Sequence, residues 1–369
     1  MARRGRGARV EHLPFVFLSV LALLVGLWGG LVRIGWVMPD LRAGLTLAHG
    51  PLMVSGFLGT LIGLERAAAL ARVWAYSAPL LAGVGVVALL AGMPVPMLFA
   101  AAGLGLVVAF GHLLSRQPAA FMIVMAAGAG AWFVGNLLWL GGGPIVQTVP
   151  WLTGFLILTI VGERLELSRL VRPSRGARAV LLVAVGVYLA GLVLTVPIFA
   201  LGERFAGAGM IGMSLWLLRY DIARRTIREP GLPRFIAASL LSGYVWLLIG
   251  GGLWVVLGGA VAGPTYDAML HVVFLGFVFG MLFAHAPIIV PAVLGRAVPY
   301  WPGFYGHLAL LDVSILLRLG SDLGGWTEGR RWGGLLGVLA ILLFLAATAG
   351  AAASARRLPP PPQGGMRGQ

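Results

Sequence analysis

The sequence predicts an all-α integral membrane protein: twelve transmembrane helices in three parallel four-helix repeats with pseudo-three-fold symmetry. Three observations carry that reading. The chain is 59% hydrophobic and only 11% charged over 369 residues, too apolar for a water-facing surface. Its apolar runs are about 20 residues long, the length that crosses a bilayer as a helix. One phrase recurs three times inside such runs, and internal repetition means construction from similar blocks.

In chain order the spans are expected at 13–32, 45–64, 74–93, 95–114, 119–140, 144–162, 177–197, 199–218, 233–258, 266–290, 300–319 and 331–352. The first follows a basic start, Met1 to Val10, but is too long for a signal peptide and lacks a small-residue cleavage site before Arg33. Spans seven and eight meet at a corner, Pro197-Ile198-Phe199. The Pro- and Gly-rich tail, 357–369, is expected to be disordered.

The recurring phrase starts at His49-Gly50-Pro51, passes Gly56-Phe57-Leu58 and reaches Glu65-Arg66. It returns from Gln147 through Gly154-Phe155-Leu156 to Glu163-Arg164, and again as Gly276-Phe277-Val278 ending at His285. The copies fall on spans 2, 6 and 10, so each block holds four spans and the repeats run parallel. The blocks are 1–116, 117–230 and 231–356. Small residues at Gly56, Gly154 and Gly276 would let neighbouring helices pack closely.

Charge reports topology. The formal net charge is +15 and every basic residue is arginine. All but Arg33, Arg42, Arg204, Arg318, Arg330 and Arg331 fall on the side of the N-terminus, from Arg3, Arg4, Arg6 and Arg9 to Arg356, Arg357 and Arg367. That bias places both termini in the cytoplasm of an inner membrane and makes the lipid bilayer, not nucleic acid, the partner. With no cysteine, disulfides, iron–sulfur clusters and covalently attached haem are excluded. The absence of lysine removes the nucleotide-binding loop of the Gly-x-x-x-x-Gly-Lys type.

Two polar groupings remain. His49 opens span 2 and His271 lies early in span 10, at similar depth on corresponding helices. Two imidazoles so placed are what a six-coordinate b-type haem needs. The Gly-Phe alignment, however, sets Met269 rather than His271 opposite His49, leaving a His–Met pair as an alternative. At the cytoplasmic end Glu65, Glu163 and His285 superpose, with His112 and His307 near the same side. That cluster could hold a divalent metal or relay protons, or its Glu-Arg pairs could anchor helix ends and link blocks. The charged pair nearest a span interior is Glu203-Arg204, at the outer end of span 8.

Twelve helices in three arcs, the phrase His49-Gly50-Pro51-Leu52-Met53 and an early histidine in span 10 resemble the haem–copper oxidase catalytic-subunit fold. The run His271 to Met281, with the later run Leu308 to Arg318, is similar to the smaller NnrS-type membrane proteins. The resemblance implies haem b, a link to respiration or nitric oxide stress, and an electron-transfer partner or a diatomic gas. Copper is implied by the oxidase likeness alone. Span 6 offers Gln147, Trp151 and Thr153 but no histidine, and span 7 has none, so the usual copper ligands of a binuclear centre are missing. The expectation is a haem-binding membrane protein; the alternative is a twelve-helix transporter or channel for a proton, metal or small solute.

Overall fold

The computed structural model describes residues 10–39, 41–42 and 44–355. The tail at 357–369 and the arginines Arg3, Arg4, Arg6, Arg9, Arg356, Arg357 and Arg367 lie outside the described residues. Within them the long helices are, in order, α1 (Leu13–Arg33), α2 (Leu45–Leu70), α3 (Val73–Ala91), α4 (Pro96–Arg116), α5 (Ala120–Leu140), α6 (Ile145–Leu170), α7 (Arg175–Leu194), α8 (Phe199–Tyr220), α9 (Leu232–Leu257), α10 (Gly263–Leu294), α11 (Phe304–Gly324) and α12 (Thr327–Ser354). No strand occurs among the described residues. Ten of these helices are long and apolar enough to cross a membrane; α8 and α11, the other two, are of similar length but more polar. The chain is a multi-pass helical membrane protein.

Local sequence sets the boundaries. Pro14, Pro96, Pro233 and Pro264 stand in first turns, where a missing N–H costs nothing. Gly92 (φ 82°) and Gly325 (φ 70°) follow α3 and α11 in the left-handed conformation that closes a helix end. At the predicted corner, α7 stops at Leu194 and α8 begins at Phe199.

Burial divides the helices into two layers. In α2, α6 and α10, 67%, 72% and 72% of the apolar window is inside the protein, against 28–56% for the other membrane-length helices. The helices carrying the repeated phrase are therefore the inner ones, and α10 touches both α2 and α6. Around them α4 packs on α5, α8 on α9 and α12 on α1. Trp132 of α5 stacks on Phe155 of α6 (4.8 Å) and donates to Ser55 Oγ of α2 at 2.9 Å, tying these three helices together.

The three glycines of the phrase have matching surroundings. A Cβ on Gly56 would lie 3.1 Å from Ala22 Cβ of α1, and one on Gly154 would lie 3.4 Å from Ala131 Cβ of α5. On Gly276 it would be driven to 2.4 Å from Trp246 of α9. Each inner helix thus leans on the helix preceding it in the chain through a missing side chain, the close approach that holds helices together where lipid removes the hydrophobic drive.

Two inner helices are irregular at the same place. In α2 a 3₁₀ turn (Leu45–Ala48) and one α-turn (His49–Pro51) lead into a π-helical stretch, Leu52–Leu58. In α10 the π-helical stretch is Val272–Phe279. Each stretch begins four residues before its glycine, Gly56 or Gly276. Such widened turns are rare and often mark functional positions.

A Gly276→Ala substitution should destabilise the protein by about 1–3 kcal/mol, because neither the Trp246 ring nor the backbone can give way freely. Gly130→Ala, where a Cβ meets nothing within 4 Å, should be close to neutral. Thermal unfolding of the two detergent-solubilised variants makes the comparison.

Candidate functional site

The starts of α2 and α10 place the imidazoles of His49 and His271 side by side. Their ring centroids are 6.1 Å apart and their planes differ by 19°. Gly29 and Gly30 of α1 make room: a Cβ on Gly30 would lie 3.0 Å from His49 Cε1. His49 Nδ1 donates to the Gly26 carbonyl at 2.7 Å, and His271 Nδ1 donates to the Asp267 carbonyl at 2.9 Å. A carbonyl can only accept, so in each neutral ring the proton sits on Nδ1 and the lone pair on Nε2. Among the described residues neither Nε2 makes a hydrogen bond. This is the tautomer and the orienting contact that a metal-ligating histidine uses.

Both rings line a cavity of about 300 Å³ among α1, α2, α6, α10, α11 and α12. Its depth is apolar, built from Leu27, Val54, Leu58, Leu152, Phe274 and Ile341, whereas Arg33, Tyr266, Asp267, Arg318 and Arg330 stand towards the bundle end where α1 finishes. At the cavity wall Phe279 of α10 stacks on Phe57 of α2 (6.1 Å), and Phe283 and Phe344 fill the bundle towards its other end.

The spacing can be tested against a ligated group. Two imidazoles on one metal ion, with metal–nitrogen bonds of about 2 Å and ring centres roughly 1 Å further out, place their centroids about 6 Å apart. The observed separation matches that value, and both Nε2 atoms are free of hydrogen bonds. Met269, expected as the alternative partner, does not line the cavity: it is fully buried, and its carbonyl accepts from Trp254 Nε1 at 3.2 Å. The alignment set Met269 opposite His49 by a regular helical period, whereas His49 belongs to the irregular first turns of α2, ahead of the widened stretch.

Beside His271 is a charged group that the sequence reading passed over. Arg318 of α11 grips Asp267 with two hydrogen bonds, Nε to Oδ2 at 2.7 Å and a terminal nitrogen to Oδ1 at 3.0 Å. Arg330 of α12 stands 3.3 Å from the same carboxylate and 3.1 Å from Asp322 Oδ1. The signal was present: Asp267 precedes His271 by one helical turn, and Arg318 interrupts an apolar run. Asp312 was also overlooked. It lies midway along α11, deeper than Glu203, and accepts from Ser242 Oγ (2.9 Å) and Trp246 Nε1 (2.7 Å) of α9. Glu203 itself accepts from the Gly259 amide at 2.6 Å and so holds the turn after α9.

At the opposite end the expected cluster is a set of ion pairs between helices. Arg66 of α2 bonds to its neighbour Glu65 at 3.3 Å and to Glu163 of α6. Arg164 makes a buried two-toothed pair with Asp221, both bonds 2.8 Å, at the end of α8. His285 donates to the Met281 carbonyl at 2.7 Å. His112 meets Trp74 edge-on (5.5 Å), and His307 is enclosed by Phe283, Phe304, Phe344 and Phe235. Among the described residues no group of three or more His, Cys, Asp or Glu side chains converges as a metal site.

Fold and site together define a multi-pass helical membrane protein with an imidazole pair facing an apolar cavity. Within that class, the family model described as "Domain of unknown function (DUF8744)" matches residues 12–353, and the chain belongs to that family. No curated protein and no solved structure matches it.

Because Arg164 and Asp221 are both almost wholly buried, Asp221→Asn should strand the guanidinium and cost about 3–5 kcal/mol. Exposed Glu229→Gln on the following loop should cost almost nothing. Unfolding midpoints in detergent, with and without the substitutions, check both.

Proposed function

We propose that this protein is a haem b-binding membrane protein in which His49 and His271 would hold the iron, and that it serves electron transfer. The single observation that carries the reading is the 6.1 Å imidazole pair on an apolar cavity, with both Nδ1 protons held by backbone carbonyls. Haem bound there would supply one-electron exchange. Two histidines holding one iron would favour electron transfer over direct binding of a diatomic gas. The chain's own contribution is to orient the two rings and to exclude water with Leu27, Leu58, Leu152 and Ile341. Arg33 lines the same cavity and would supply positive charge for the acidic side chains of a haem. Neither the donor set nor the helix lining offers the histidines of a copper site, so no oxidase chemistry is assigned.

The proposed architecture is twelve spans in three parallel groups, the termini cytoplasmic. Support comes from the inner position of α2, α6 and α10, the matching surroundings of Gly56, Gly154 and Gly276, and the aligned π-helical stretches. A transport path through Glu65, Glu163 and His285 draws less support, since Arg66 already joins the two carboxylates and none of the three lines the cavity.

A dithionite-reduced minus oxidised spectrum of protein purified from haem-replete membranes should show b-type α-bands. His49→Ala and His271→Ala should each abolish or shift them, whereas His112→Ala and Met269→Leu should not. A wild-type protein that carries no haem, or a His271→Ala protein with an unaltered spectrum, would end this reading.

A further inference from the structure

The geometry points to Asp267 as a positioning residue that fixes the ring of His271 and sets the reduction potential of the site, with Arg318 and Arg330 holding its carboxylate in place. This rests on the haem reading.

The two imidazoles are not held alike. His49 Nδ1 has only the Gly26 carbonyl. His271 Nδ1 has the Asp267 carbonyl at 2.9 Å and, in addition, Asp267 Oδ1 at 3.3 Å. A carboxylate beside the distal nitrogen of a ligating histidine draws its proton, makes the ring a stronger donor and favours the more oxidised metal. Left alone in an apolar site, such a carboxylate would be expensive and free to turn away. Here the fork of Arg318 fixes its plane from α11, and Arg330 approaches from α12. Three helices thus converge on one residue a single turn from the ligand. A helix anchor alone needs no carboxylate oxygen near His271 Nδ1, whereas a potential-setting role does.

Replacing Asp267 by Asn removes a negative charge beside His271 and leaves Arg318 without its carboxylate partner. Both that and the weaker hydrogen bond stabilise the reduced state, so the midpoint potential should rise. The expected change is a tenfold or greater shift of the redox equilibrium, at about 59 mV per tenfold for one electron. Asp267→Glu, which keeps the carboxylate, should stay near wild type. Arg330→Gln leaves the Arg318 fork intact and should move the potential the opposite way. It serves as the measurement if Asp267→Asn does not accumulate folded. Arg331→Gln, whose partner is Glu328 at 2.7 Å, should leave the potential unchanged.

Spectroelectrochemical titration of the purified variants decides the matter. Haem-loaded Asp267→Asn with a wild-type potential, or Arg330→Gln shifting as Arg331→Gln does, would overturn the assignment. Absence of haem from the wild-type protein would instead remove the reading on which it rests.

Discussion

Hydrocarbon offers no hydrogen-bond partner, so a charged side chain carried into the bilayer is stabilised by a partner inside the bundle. The arrangement of the helices follows from how that demand is met. Arg66 reaches from α2 to Glu163 of α6, and Arg164 closes on Asp221 at the end of α8. Asp312 of α11 takes two donors from α9, and Asp267 of α10 gathers arginines from α11 and α12. These links run between helices distant in sequence, where apolar packing alone specifies little.

The same demand explains the histidine pair. An imidazole in an apolar site keeps its proton on the nitrogen that has an acceptor, and for both His49 and His271 that acceptor is a backbone carbonyl. The consequence is chemical: two lone pairs remain on Nε2 atoms bordering the cavity. The irregular turns that open α2, and the widened stretches that follow in α2 and α10, leave the rings in register despite the unequal placement of the two histidines in the repeat.

The two ends of the bundle differ in the use they make of charge. At the arginine-rich end, carboxylates and guanidinium groups satisfy one another and tie helices together. At the other end the Asp267 group adjoins the cavity, so its charges act on whatever the cavity holds as well as on the fold. Charged residues of one composition thus serve cohesion in one place and the chemistry of a site in the other.

Composition and run length by themselves determined that this protein is helical and multi-pass, because apolar segments of membrane length leave no other way to satisfy their backbone. The repeated phrase also marked α2, α6 and α10, the helices with the greatest burial, since Gly56, Gly154 and Gly276 are small where backbones must approach. Sequence nominated His49 and His271 but could not choose between His271 and Met269: a regular helical period does not describe the turns around His49. Nor could it reveal Asp267, Arg318 and Arg330 as one group, for they come from three helices. Which side chains meet is decided by the angle and register at which those helices pack, and that is a property of the folded bundle rather than of any one segment.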